Sequence, residues 1–296
     1  MLDVEVLAEG LRFPEAPIAM PDGSIVFVEV HGGLLSRVDA SGTLSTVAFL
    51  GGAPNAAAVG PDGAIYVCNK GGGSGDSLLA PCVQRVDLDT GSYETIYPDC
   101  AGIPFGRPND LVFDASGRFW FTDTGRGAIF YASPDGSSIR QVLDNLWTPN
   151  GIVLSPDDDV LYWAETVSRQ VLRRRVAAPG QLIPSSGHDV KALLHGGGVD
   201  PFALLVGMCG ARQVDGLAVE ADGTICVACL VDSGIMRVST SGDILDFVPL
   251  PAAIADGAVS NLCFGGADMR TAYVTLGEHG RLVSCRWPRP GLRLRF

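Results

Sequence analysis

Six oxygen-bearing side chains recur at one offset in this chain. Seven residues before Asp22, Asp62, Ser116, Asp157, Asp222 and Asp268 stand Glu15, Asn55, Asn109, Asn150, Asp215 and Asn261. Four of the chain's six asparagines fall in this set, so chance placement is a poor explanation. Carboxylate and carboxamide oxygens are the ligands that hard divalent cations take, and Ca²⁺ tolerates irregular ligand sets better than Mg²⁺. Ca²⁺ is therefore the expected cation, with Mg²⁺, Mn²⁺ and Zn²⁺ behind it. No histidine or cysteine occupies the register, which argues against zinc in particular. The competing explanation is turn chemistry, because Pro-Asn and Asp-Gly pairs mark turns. It covers one or two positions and leaves Glu15 out.

The offset is counted from turns, and the turns repeat. They are Pro21-Asp22-Gly23, Pro61-Asp62-Gly63, Ala115-Ser116-Gly117, Pro156-Asp157-Asp158, Ala221-Asp222-Gly223 and Gly266-Ala267-Asp268, about 40 to 65 residues apart. Each precedes a short β-rich run such as SIVFVEV, RFWFTD or TAYVTL, and most are followed by a second hairpin. The period and pattern predict an all-β fold, a six-bladed β-propeller, as one domain over residues 1–296. Each blade has strands A to D from the axis outward. The sixth blade runs out of chain after its third strand, and DVEVLA at the N-terminus is expected to complete it, closing the ring. Equivalent positions at the start of six inner strands must then converge at one end of the channel.

Strand direction puts the A–B turns at the far end and the B–C and D–A loops at the ring end. The segment 177–213 reads as a long D–A insertion, and 69–81 as a Gly-rich B–C loop. B–C loops bring His31, Lys70, Glu165, Asp232, Glu278 and His279 to the ring end. His31 and His279 are candidates for contact with substrate, and His188 and His195 in the insertion are weaker ones. Arg107 lies two residues before Asn109, on the same side of a strand, where no other blade has a charge. It suits an anionic or polyhydroxylated ligand, or else a salt bridge to an acid such as Asp110.

Composition narrows the class. Of 296 residues, 47% are apolar and 18% charged, with a net charge of -12, which disfavours a nucleic-acid partner. The start has no basic segment leading into an apolar core, and no run of about eighteen apolar residues exists, so a cytoplasmic protein off the membrane is expected. The eight cysteines are expected to be reduced. Cys226 and Cys229 form a CxxC within a strand, where i and i+3 point to opposite faces and do not chelate. The sequence says nothing of oligomeric state.

FPEAP, RPNDL, TPNGI and VDGLAV, each ahead of its turn, resemble the gluconolactonase, senescence-marker-protein and luciferin-regenerating family of six-bladed propellers. LCFGG, RTAYVTL and WPRPGL are also similar to bacterial members, and the likeness covers essentially the whole chain. The resemblance implies that Glu15, Asn150 and Asp215 hold a metal. Asn109 is then a fourth ligand or a substrate contact through water, Arg107 touches substrate, and Asp215 is the general base. Asn55 and Asn261 remain as substrate-side positions, with Glu15 as the lesser candidate base. Two departures stand out: Ala16 where many members have glycine, and Glu278-His279 where small or hydroxyl residues are usual. The expected activity is metal-assisted opening of a small lactone, sugar-type or otherwise. The alternatives are phosphotriester hydrolysis, lyase or isomerase chemistry at the same metal, or a propeller that only binds a ligand.

Overall fold

The repeated turns do what their composition dictates. Gly23, Gly63, Gly117 and Gly223 each take a positive φ, between 76° and 88°, and Asp22, Asp62 and Asp222 each accept the backbone N–H two residues on. Asp158 and Met269 adopt the same left-handed conformation in the fourth and sixth turns. Each turn folds the chain back into an antiparallel pair, and each pair recruits a second hairpin.

The computed structural model describes residues 3–73, 78–184 and 204–296. Among the described residues six blade sheets result, together with a two-stranded ribbon of Asp99–Cys100 and Ile103–Pro104. The inner strands of the blades are Pro14–Ala19, Pro54–Val59, Pro108–Phe113, Pro149–Leu154, Gln213–Val219 and Val259–Gly265. Each packs on the next, and the last packs on the first. In the sixth blade the outer place is taken by Val4–Ala8, which pairs antiparallel with Arg281–Arg286. Second strands such as Ile25–Glu29 and Phe119–Asp123 are buried along their whole length, because both faces meet neighbouring blades. Aromatic groups such as Phe119, Phe121 and Phe130 fill those spaces. Among the described residues, no helix is long and apolar enough to cross a membrane.

The fourth blade corrects one expectation. Leu204–Gly207 pairs with Gln170–Ala178, Val206 opposite Val171, and so forms that blade's outer strand. The connection to that outer strand therefore leaves from strand C, whose far end pairs Ala178 with Gln181, and is a C–D rather than a D–A connection. A four-residue strand with no turn signal ahead of it left no periodicity to read. Residues 185–203, with His188 and His195, lie outside the described residues. The eight cysteines are free, and Cys226 and Cys229 belong to different core clusters, as alternation along a strand requires.

Every inner strand breaks register where the oxygen-bearing residues sit. The irregularities fall between Glu15 and Ile18, Pro54 and Ala56, Pro108 and Leu111, Pro149 and Ile152, Val214 and Leu217, and Val259 and Asn261. A bulge re-aims side chains and ends regular pairing. Glycine is needed beside two of them. A Cβ on Gly151 would lie 2.5 Å from Asp215 O, and one on Gly216 would lie 2.3 Å from Asn261 Cγ. The Asn-Gly and Asp-Gly pairs thus mark close approach of adjacent inner strands rather than turns.

The ring end is fastened by a second set of polar groups. Asp123, at the end of its strand, accepts the N–H groups of Gly106, Arg107, Gly125 and Arg126 at 2.7–2.9 Å. Glu29 holds Arg12 N, Asn69 holds Ala53 N and Gly71 N, and Glu165 holds Trp147 N and Thr148 N. Each ties the loop entering its inner strand to the end of its second strand. We expect Asp123→Ala to cost about 3 kcal/mol, because four part-buried donors lose a charged acceptor. In thermal unfolding this should appear as a Tm lower by roughly 5 °C. An unchanged Tm would show that water satisfies those donors unaided.

Candidate metal centre

The bulged inner strands place two carboxylates together inside the channel. Glu15 and Asp215 are 4% and 8% exposed, and the Asp215 charge acts on Glu15. Burial, then the Asp215 charge, drives the Glu15 carboxyl well above the ordinary glutamate range. Burial also pushes Asp215 up to about 7, with the Asp110 charge adding to the effect. Lys70 and a hydrogen bond from Asn150 act in the opposite sense. Asn150 also donates to Thr166 Oγ1 at 3.0 Å.

The amides complete the ring unequally. Asn109 is 2% exposed, and its Oδ1 has no hydrogen-bond partner. Asn55 turns its Nδ2 to the Asn109 carbonyl at 3.2 Å, and Asn261 Oδ1 accepts from Leu262 N at 2.8 Å. These two therefore spend groups on the backbone. An orphaned buried amide oxygen, at the inner-strand position that matches those of two buried carboxylates, fits a hard divalent cation, which takes oxygen ligands and reverses the unfavourable burial of like charges. Glu15, Asn109, Asn150 and Asp215 are the residues that could hold it.

Asp110 is the site residue that the six-fold offset passed over. It lies one position past Asn109, and the bulge turns it inward. Its oxygens accept from Leu111 N and Ile152 N at 2.8 and 3.0 Å, and burial raises its carboxyl to about 7. It is therefore not the salt-bridge partner of Arg107. Arg107 is exposed, and no partner holds its guanidinium among the described residues. Lys70, which had a place on this face and no role, reaches the electrostatic neighbourhood of Glu15, Asp215 and Arg107. Burial pulls its ammonium below the usual lysine range, while the two carboxylates oppose that.

Other loop residues take different places. His31 is exposed and packs on Phe13 at 5.1 Å between ring centroids. Glu165 is buried as a loop fastener, and Asp232 pairs with Arg212 at 2.6 Å. His279 Nδ1 lies 3.0 Å from Asp256 Oδ2, and with Glu278 these three bring ligand atoms within 4.8 Å of one another. That trio is a weaker metal candidate than the ring. Asp256 already accepts from Ala258 N, Glu278 N and His279 N, and Glu278 accepts from Gly257 N. It performs the fastening that Asp123 performs in the third blade.

On the turn side of the ring the channel widens into a cavity of about 290 Å³, lined by alkyl groups such as Leu111, Ile152 and Leu217. The C-terminal residues Leu292–Phe296 line its other end, with Phe296 against Phe113. Asp110 and Asn261 also belong to this lining.

The sequence pattern of the SMP-30/Gluconolactonase/LRE-like region matches residues 13–278. The chain belongs to this family. Among its relatives is the lactonase drp35 of Staphylococcus saprophyticus, 26% identical over 256 residues, covering 84% of this chain and 72% of that protein. A gluconolactonase of Zymomonas mobilis is 27% identical over 188 residues, covering 54% of this chain and only 50% of that protein. A solved gluconolactonase of Xanthomonas campestris superposes with a TM-score of 0.78 at 22% identity, over 97% of this chain and 90% of that one. A calcium-binding regucalcin of Agrobacterium tumefaciens gives 0.75 at 19% identity, over 99% and 98%. At such identities these two structures establish the shared propeller fold.

If the ring of this family member holds a cation, Ca²⁺ at a hundredfold excess over its Kd should raise Tm by about 5 °C, by mass action on the folded state. Asp215→Ala should abolish that shift. A shift that survives in Asp215→Ala and disappears in Asp256→Ala would move the site to the other cluster.

Proposed function

We propose that this chain is a lactonase that opens a small cyclic ester at the ring end of its channel. The observation that carries the reading is the buried pair Glu15 and Asp215 beside the unpartnered Asn109 oxygen, on the face where the connecting loops gather. The names of relatives, lactonase drp35 and gluconolactonase, support the reaction class.

A divalent cation held by Glu15, Asn109, Asn150 and Asp215, with Ca²⁺ preferred, would supply Lewis-acid polarisation of an ester carbonyl. The chain's own groups handle the proton. Asp215 sits in a site that raises its affinity for a proton, so its carboxylate is suited to take one from an attacking water. The water oxygen bonds to the carbonyl carbon, the ring C–O bond breaks, and the leaving alkoxide takes up a proton. The product is the open hydroxy acid. Asn150, held by its hydrogen bond to Thr166 Oγ1, acts on Asp215 to stabilise its charged form and is suited to orient the base. Glu15 receives an N–H from Ala16 at 3.0 Å and serves as a fixed negative charge, with a secondary claim to the base role. Arg107 stands at the open side, where a substrate would arrive.

Asp215→Asn should keep the fold and lower kcat for lactone hydrolysis about 10²- to 10⁴-fold, the range for loss of a general base. A pH-stat assay measures the released acid, and circular dichroism checks the fold. Chelation with EDTA should remove activity and added Ca²⁺ restore it. Full turnover by Asp215→Asn, or by metal-free protein, defeats the mechanism.

A further inference from the structure

The ring is acidic, yet Lys70 and Arg107 beside it pair with no acid among the described residues. Lys70 directly follows the strand Ile65–Asn69. Its backbone is held firmly. Lys70 N donates to Ala53 O at 2.9 Å, and the fully buried Asn69 accepts from Ala53 N and Gly71 N. From that anchor the half-buried side chain reaches a place where Glu15, Asp215 and Arg107 all act on its charge. Among the described residues its ammonium makes no ion pair and no hydrogen bond. Arg107 enters from the next blade. Its N–H goes to Asp123 Oδ1 at 2.7 Å and its carbonyl accepts from Thr124 N at 3.0 Å, which fixes the backbone and leaves the guanidinium open.

Two like charges at one mouth repel, and the half-buried Lys70 ammonium has solvent in place of a protein acceptor. Lys70 stands off from the ring carboxylates rather than bridging to either. A cation in the ring would itself offset those carboxylates, leaving Lys70 and Arg107 in surplus. An anion between them satisfies both, and the planar guanidinium suits an oxyanion in two-pronged fashion.

We propose that Lys70 and Arg107 form a fork for an anionic substituent, so that the preferred lactone carries a second ionised group, a carboxylate or a phosphate. Lys70 is a specificity residue in this scheme, and its contact is with the substituent rather than with the ester. The scheme rests on the lactonase reading for its reaction and adds the class of lactone. It also accounts for an acidic protein, of net charge -12, keeping Lys70 and Arg107 without an ion pair at this mouth among the described residues.

The test uses the full chain with its divalent cation. Rates are measured for a neutral aldonolactone, an aldaric-acid lactone and a phosphorylated aldonolactone of the same ring size. At least one anionic lactone should exceed the neutral one in kcat/KM. In Lys70→Met the anionic-to-neutral ratio should fall about 10- to 100-fold, the worth of a charge-assisted contact, through KM rather than kcat. Lys70→Arg should restore part of it. Equal preference in the unaltered protein, or equal losses for all lactones in Lys70→Met, overturns the fork and makes Lys70 a counter-charge for the ring. Binding of open-chain acids by calorimetry separates this proposal from the reaction. If no lactone is hydrolysed, a dicarboxylate held more tightly than a monocarboxylate, with the difference lost in Lys70→Met, sustains the fork while the lactonase reading fails. No such difference sinks the fork as well.

Discussion

Two carboxylates buried within range of each other's charge are the constraint on which this structure turns. Glu15 and Asp215 come from the first and fifth blades and meet inside the channel, where solvent does little to screen them. Each is driven toward its neutral form by burial. A fold does not keep such a pair for stability, since two apolar groups would fill the same space at less cost. The pair makes sense where a positive charge belongs between or beside them. The orphaned Asn109 oxygen and the nearby ammonium of Lys70 point to the same requirement.

Bringing the pair together is a backbone achievement. A regular strand would alternate its side chains between the two sheet faces, and a pleated edge would not aim six of them at one axis. The break in register at every inner strand supplies the re-aiming. Gly151 and Gly216 allow adjacent inner strands to come close enough for the ring to be narrow. Ala16 occupies the matching place in the first blade with φ at 46°, a conformation that a Cβ opposes, and its N–H meets Glu15. The glycine common there in the family would sit without that opposition.

The two ends of the channel divide the work. At the turn end, Leu292–Phe296 and a mainly apolar lining enclose a cavity that Asp110 and Asn261 also border. The approach to that tail is fixed by Glu220, fully buried, which receives Arg237 through two short contacts and Trp287 Nε1 at 2.7 Å. At the ring end, Glu29, Asn69, Asp123, Glu165 and Asp256 hold the loops by their backbone N–H groups. Side chains on those loops, Arg107 and Lys70 among them, are therefore presented by rigid main chain.

The sequence by itself determined the number of blades, because turn chemistry and strand period are local properties repeated six times. It also determined which positions face the axis, because a fixed offset from a turn is a fixed place on an inner strand. Tertiary structure alone decided the rest. Whether six equivalent residues play equivalent parts depends on neighbours: Asn55 and Asn261 turn to backbone groups, while Asn109 is left unsatisfied. Asp110 escaped the offset because a bulge, invisible in residue types, turns it into the channel. Acidic loop residues such as Glu165 and Asp256 looked like site candidates, since sequence cannot tell a carboxylate that binds backbone from one that faces a ligand. Lys70 gained meaning only from the charges that another blade sets beside it. Electrostatic fields act through space, across residues far apart in the chain, and no local pattern records them.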